Sequence, residues 1–217
     1  MKNKVSIERQ GKINNLDDLL NQFSISLRCH SHRVAVCSAI IAENANAFKN
    51  FFDIPAGMSL PVVAHLGGTC HDIGKLMLPA LEARGDEYMK HPAMGADLLK
   101  KHKGVLFSNK PFAHMVIDIV RYHHEKADGT GFPEGLRSGD IPLIAGICSV
   151  ANKLDHHMYS RHKHSGDAAK ILKILEAQVD KQFIECIWVC VERAWSRLAE
   201  RYAVWNHLTY NHNRNES

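Results

Sequence analysis

Along most of this chain apolar residues recur every three or four positions, with polar residues between them. Leu19, Leu20, Phe23, Leu27, Val34 and Ile41 keep roughly helical spacing. They predict a helix that Asp17 caps and that runs to about Phe48. Pro61 opens a second helix through Asp72, which Gly74 ends, and His91-Pro92 begins another that carries Leu98 and Leu99. Pro111 to His124 reads as a further helix, stopped by glycines, and Pro142 to about Tyr159 as the next. Asp167–Val179 and Gln182–Trp205 carry the clearest amphipathic pattern. No alternating stretch bounded by turns competes with these segments. The expectation is an all-α domain of about seven helices over residues 16–205, with a poorly ordered polar segment at 1–15 and a polar tail at 206–217. Asp128–Asp140 is the one long loop, of the kind that often carries function. On the last helix Phe183, Ile184, Ile187, Trp188, Val191, Trp195, Leu198 and Tyr202 form a broad apolar stripe. Packing on the domain's own core is the favoured reading of that stripe, and a homodimer face is the alternative.

Composition narrows the picture. At 217 residues and 45% hydrophobic, the chain suffices for one domain with a real core. A formal net charge of +4 is mild; it suits a small anionic substrate and gives no reason to expect duplex nucleic acid. Six cysteines without a Cys-x-x-Cys pattern read as reduced, buried thiols. The N-terminus has no apolar signal core, and no apolar run is long enough to span a bilayer. A cytoplasmic location with no membrane contact is expected. Histidine is the abnormal residue, with 15 copies.

Their positions matter more than their number. His30, His71, Asp72, His91, His123 and His124 are candidate metal ligands. Adjacent helical residues such as His71 and Asp72 point about 100° apart, so one ion is hard for both to grip. A dinuclear arrangement relieves this, with Asp72 bridging two cations and histidines capping each. Mixed imidazole and carboxylate ligation suits iron, manganese or zinc better than calcium or magnesium. Two such cations can activate water and clamp a phosphoryl oxygen.

The order of these residues resembles the HD-GYP family, within the HD superfamily of metal-dependent phosphohydrolases. His30-Ser-His-Arg-Val34 is similar to the family's first histidine motif, and His71-Asp-Ile-Gly-Lys75 to the HD signature. His91-Pro-Ala-Met-Gly95 is similar to the third motif. Residues 123–136, HHEKADGTGFPEGL, resemble the defining loop, with Phe132 where tyrosine is usual. Ile141-Pro-Leu143 and the segment Ile147–Asp155 continue the series in order, and the match spans about His30 to Arg161. The resemblance implies an all-α fold, a two- or three-metal centre, reduced to one or two divalent transition metals by the departures below, and hydrolysis of a cyclic dinucleotide, cyclic di-GMP first. It implies His30, His71, Asp72, His91, His123 and His124 as metal ligands. Asp72 and Lys75 are then catalytic, and Lys75, Gly129, Gly131 and Arg161 contact substrate. Iron or manganese is expected ahead of zinc or nickel.

Four departures qualify that implication. The family's Val-Ala-Asp reads Val150-Ala151-Asn152, which replaces a ligating aspartate by a neutral, weaker oxygen ligand. Ser26 stands where three-metal members have glutamate, so no third metal is expected. The segment between Lys75 and His91 is short, and HHMYSRHKH after Asp155 replaces a more regular pattern. Two divalent cations would then face Asp72 as the one remaining carboxylate, a costly surplus of charge. Weak binding, a single metal, or completion of the site by substrate phosphate follows. Three functions stay open: a cyclic-dinucleotide phosphodiesterase, a non-catalytic relative that binds nucleotide or a protein partner, and a hydrolase for another phosphoester. The nearly intact histidine set favours the first, and Asn152 favours the second.

Overall fold

The computed structural model describes residues 13–45, 54, 57–78, 84–159 and 167–215, with side chains to 207. Among them the chain is all helical: α1 Leu16–Leu20, α2 Ile25–Glu43, α3 Leu60–Cys70, a 3-10 turn at Ile73–Met77, α4 Asp86–Met89, α5 His91–Leu106, α6 Lys110–Tyr122, α7 Leu143–Met158, α8 Ala168–Glu176 and α9 Glu185–Asn215.

Several boundaries differ from expectation, most of them for a local reason. The first helix is two, because Ser24 turns its hydroxyl onto the Leu27 N–H at 3.2 Å and starts α2 afresh. Phe23, in the joint, is buried, so the break serves packing. Asn15 rather than Asp17 caps α1, in a reciprocal box with Asp18. The expected helix through Asp72 stops at Cys70, with His71 as its cap, and Asp72 begins the 3-10 turn. Gly74 therefore does not end the helix. It lets the turn touch α5: a Cβ there would lie 1.9 Å from the His91 carbonyl oxygen and 2.6 Å from the Gly95 nitrogen. The short α4 has no apolar period of its own and was not expected. α9 continues ten residues past Trp205, to Asn215.

α2 and α3 lie side by side, α6 packs on α3 and α5, α7 packs on α2 and α6, and α9 covers α2 and α7. The core between them holds Val34, Ile41, Leu99, Ile119, Ile147, Leu154 and Leu198, all fully buried. The stripe on α9 is absorbed here. Ile187, Trp188, Val191, Leu198 and Tyr202 sit in this core, so it is not a free face. No disulfide joins the cysteines, but Cys29 is exposed, contrary to the expectation of buried thiols, because it lies on the outer side of α2. No helix among the described residues is long and apolar enough to cross a membrane.

Candidate metal centre

The packing brings six residues from four separate segments to one point. Asp72, at the α3 end, is 1% exposed and lies at the centre of two groups: Asp72 with His91, His123 and His124, and Asp72 with His30 and His71. Its Oδ1 faces His91 Nε2 at 3.2 Å and His123 Nε2 at 3.9 Å. Its Oδ2 faces His71 Nε2 at 3.3 Å and His30 Nε2 at 3.6 Å. The Lys75 ammonium, one turn on, reaches the same Oδ2 at 2.5 Å and lies 5.3 Å over the Tyr88 ring.

The other nitrogen of each ring fixes its tautomer. His71 Nδ1 donates to the Gly68 carbonyl at 2.7 Å, His91 Nδ1 to Tyr88 at 2.7 Å, and His123 Nδ1 to Val120 at 2.9 Å. A carbonyl only accepts, so Nδ1 carries the proton and Nε2 keeps its lone pair. Burial drives the pKa of His71 down, and those of His123 and His124 far down, which keeps these imidazoles neutral. Burial alone would raise the Asp72 carboxyl; His71, His91 and Lys75 outweigh it and hold it well below the usual range.

Lone pairs therefore face lone pairs. His30 Nε2 and His71 Nε2 are 3.2 Å apart, and His91 Nε2 and His123 Nε2 are 3.4 Å apart. Two nitrogens about 2.1 Å from a common ion are roughly 3.0–3.4 Å apart at right or tetrahedral angles. Asp72 Oδ1 and His124 Nε2 are buried without a hydrogen-bond partner. A cluster of buried acceptors turned on one another repels itself unless cations lie between them, so these residues fit a divalent-metal site.

Behind the first group stands the glycine-rich loop. Glu125, 2% exposed, accepts the N–H groups of Glu134 at 2.7 Å, Gly135 at 3.2 Å and Leu136 at 3.0 Å. One buried carboxylate thus pins the far side of the loop. Gly131 is demanded by the loop itself, since a Cβ would lie 2.4 Å from Lys126 N and 2.6 Å from the His124 carbonyl oxygen. Gly129, with φ of +81°, turns toward the Arg137 side chain within the same loop. Phe132 stacks on His124, ring centroids 4.6 Å apart.

Behind the second group stands a network the sequence reading missed. Asp155 accepts from His30 Nδ1 at 2.7 Å, from Arg33 Nε and Nη2 at 2.6 and 2.9 Å, and from the Tyr202 hydroxyl at 3.1 Å. Burial pushes this carboxyl up, but the bonds from His30 and Arg33 bring it down to about 2. Arg33 follows His30 by one helical turn, and Asp155 follows Asn152 by one turn on α7. That spacing put Arg33 on the face of His30 and Asp155 on the face of Asn152, but nothing in it joined the two helices. Tyr88 left no signal, because it stands in the shortened segment.

Asn152 is buried, and its Oδ1 has no hydrogen-bond partner. It lines a cavity of about 270 Å³ with His123, His124, Lys126, Phe132 and Lys153. A second, more open cavity of about 690 Å³ lies beyond His30, Arg33 and His156. Arg161, expected to contact substrate, lies outside the described residues.

Comparison with known proteins gives this geometry a setting. Residues 63–183 match the family model described as HD domain. A cyclic di-GMP phosphodiesterase of Pseudomonas aeruginosa is 28% identical over 183 residues, covering 78% of this chain and 42% of that protein. One of Thermotoga maritima is 30% identical over 137 residues, covering 58% of this chain and 33% of its own length. The chain thus spans less than half of each of these relatives. The L. monocytogenes phosphodiesterase PgpH HD domain, solved in complex with cyclic-di-AMP, superposes with a TM-score of 0.56 at 16% identity, covering 88% of this chain and 96% of that one. That likeness is one of fold.

Proposed function

The chain belongs to the HD domain family, and we propose that it is a metal-dependent phosphodiesterase that hydrolyses a cyclic dinucleotide, cyclic di-GMP first. The observation that carries this reading is the sharing of Asp72 by two groups of imidazoles whose Nε2 atoms converge. His30, His71 and Asp72 would hold one divalent cation, and Asp72, His91, His123 and His124 a second. Asn152 Oδ1, buried and unpartnered, is a weak extra donor. Iron or manganese fits this mixed set ahead of zinc or nickel, and no more than two ions bind. When bound, such cations activate water at neutral pH and clamp phosphoryl oxygens.

The chain's own groups do the rest. Lys75 is held charged, since Asp72 and Tyr88 outweigh the burial that would lower it. With its side chain 18% exposed, it offers a compact positive charge toward the open side of the centre, where a phosphoryl oxygen gains charge in the transition state. Burial of His71, His123 and Asp72 excludes bulk water and strengthens each of these interactions. Names of the relatives favour cyclic di-GMP as substrate. Gly129 and Gly131 shape the loop that borders it, and Arg161, outside the described residues, keeps its sequence-based assignment as a phosphate contact.

Anaerobic loading with iron or manganese, elemental analysis and a cyclic di-GMP linearisation assay test this together. The expected result is at least one metal per chain and linear product. Less than about a tenth of an equivalent after loading removes the metal centre. A wild type and an Asn152→Asp variant both inert toward cyclic dinucleotides remove the phosphodiesterase. Asn152 specifically supports a second reading, a site that binds nucleotide without turnover. Calorimetry would then detect cyclic di-GMP bound to the inert protein.

A further inference from the structure

The cavity beside the metal centre contains two cations that the reaction described above does not use. Lys126 follows the histidine pair and enters the glycine-rich loop; Lys153 lies on α7 next to Asn152. Both are half-buried and both line the cavity of about 270 Å³. Among the described residues neither ammonium has a carboxylate within ion-pair distance; the one contact of Lys126 is the Thr130 hydroxyl, at 3.5 Å. The single acidic side chain on the cavity wall, Glu125, is already committed to three backbone N–H groups. Two like charges thus share one cavity wall, and the Asp128 carboxylate, held by Thr130, acts on Lys126 only through space.

The rest of the wall supports the same chemistry. His124 Nε2 and Asn152 Oδ1 border the cavity, buried and unpartnered, so it adjoins the centre that would hold a scissile phosphate. An aspartate at 152 would add a negative charge beside Lys153. Asparagine leaves the cavity without one.

We propose that Lys126 and Lys153 form a second phosphate-binding site, which takes the non-scissile phosphate of the dinucleotide while the other phosphate lies over Asp72 and Lys75. The identity of that ligand rests on the phosphodiesterase reading; the anion site itself does not. A phosphate held by two ammonium groups is neutralised without bidentate geometry, which matches two flexible lysines rather than arginines. The neutral Asn152 and the neighbouring Lys153 then belong together. Substrate supplies the negative charge that the protein lacks.

The test uses the full chain loaded with manganese. Calorimetry with inorganic phosphate is run on the wild type, K126Q, K153Q and K153R, alongside cyclic di-GMP kinetics. The expected result is about tenfold weaker phosphate binding in K126Q and in K153Q, with K153R close to wild type. For cyclic di-GMP, KM should rise by about the same factor, with kcat nearly kept. Wild type that binds no phosphate, or glutamine variants that bind it as wild type does, overturns the proposal. If K153Q does not fold, K126Q, on the loop, decides alone. Hydrolysis with KM unmoved in both variants sinks the lysine site and leaves the phosphodiesterase standing. Lysine-dependent phosphate binding without hydrolysis of any cyclic dinucleotide does the reverse.

Discussion

The two halves of the centre share Asp72 but are built differently. His91 and His123 are held by carbonyls three residues back on their own chain segments, and Asp72 turns toward them an oxygen with no hydrogen-bond partner. His30 is held by a side chain 125 residues away, and the Asp72 oxygen it faces is already engaged by Lys75. The first half needs only helix geometry to be correct. The second depends on Asp155, Arg33 and Tyr202 arriving together, and it competes with an ammonium for its carboxylate. A metal should therefore fill the His91, His123 and His124 half first and more tightly.

Removing the shared residue should erase the distinction. Asp72→Ala is expected to empty both halves and to reduce turnover to background; one metal retained at full occupancy would show that the bridge is dispensable. His124→Ala should cost the tighter metal, and His30→Ala only the weaker one.

Asp155→Ala tests what supports the second half. It leaves Arg33, 8% exposed, without its charge partner, at an expected cost of about 3–5 kcal/mol in chemical denaturation. Metal loading should fall in the His30 half while the other half stays filled. Equal losses in both would mean that the halves are one unit.

The same carboxylate sets an acid limit. Its pKa is about 2 when folded against 3.8 for the free group. A lowered folded value contributes stability that is complete above the unfolded pKa and disappears as pH falls from about 4 to 2. About 2 kcal/mol should be lost in that window, and Asp155→Asn should flatten this part of the profile. Parallel profiles for variant and wild type would remove Asp155 as the cause.

Smaller still is the gain from Asn152→Asp. Restoring a carboxylate should tighten metal binding about tenfold, read by competition with a chelator. No gain would mean that Asn152 points elsewhere. Least of all, Phe132→Tyr should change kcat by less than about twofold, because the ring keeps its stack on His124.

The legibility of the sequence follows the same division. His71, Asp72, His91, His123 and His124 occur in short motifs at fixed spacing, so they could be grouped before any folding was known, and helical periodicity gave the class of the fold. Asp155, Arg33 and Tyr202 could not be joined, because nothing in one helix announces that a residue 122 or 47 positions away will meet it. The break at Ser24 carries neither glycine nor proline, and Lys153 became notable only once the cavity wall placed it beside Lys126.

Tyr202 donates to Asp155, and Asp155 accepts from His30. Two hydrogen bonds thus link α9, the longest helix among the described residues, to the middle of the Asp72 centre. That helix is a lever as well as a cover. A strain on its outer end, whether from a fused domain, a bound protein or a truncation, has a short mechanical path to one imidazole, and that imidazole belongs to the half of the centre least able to resist.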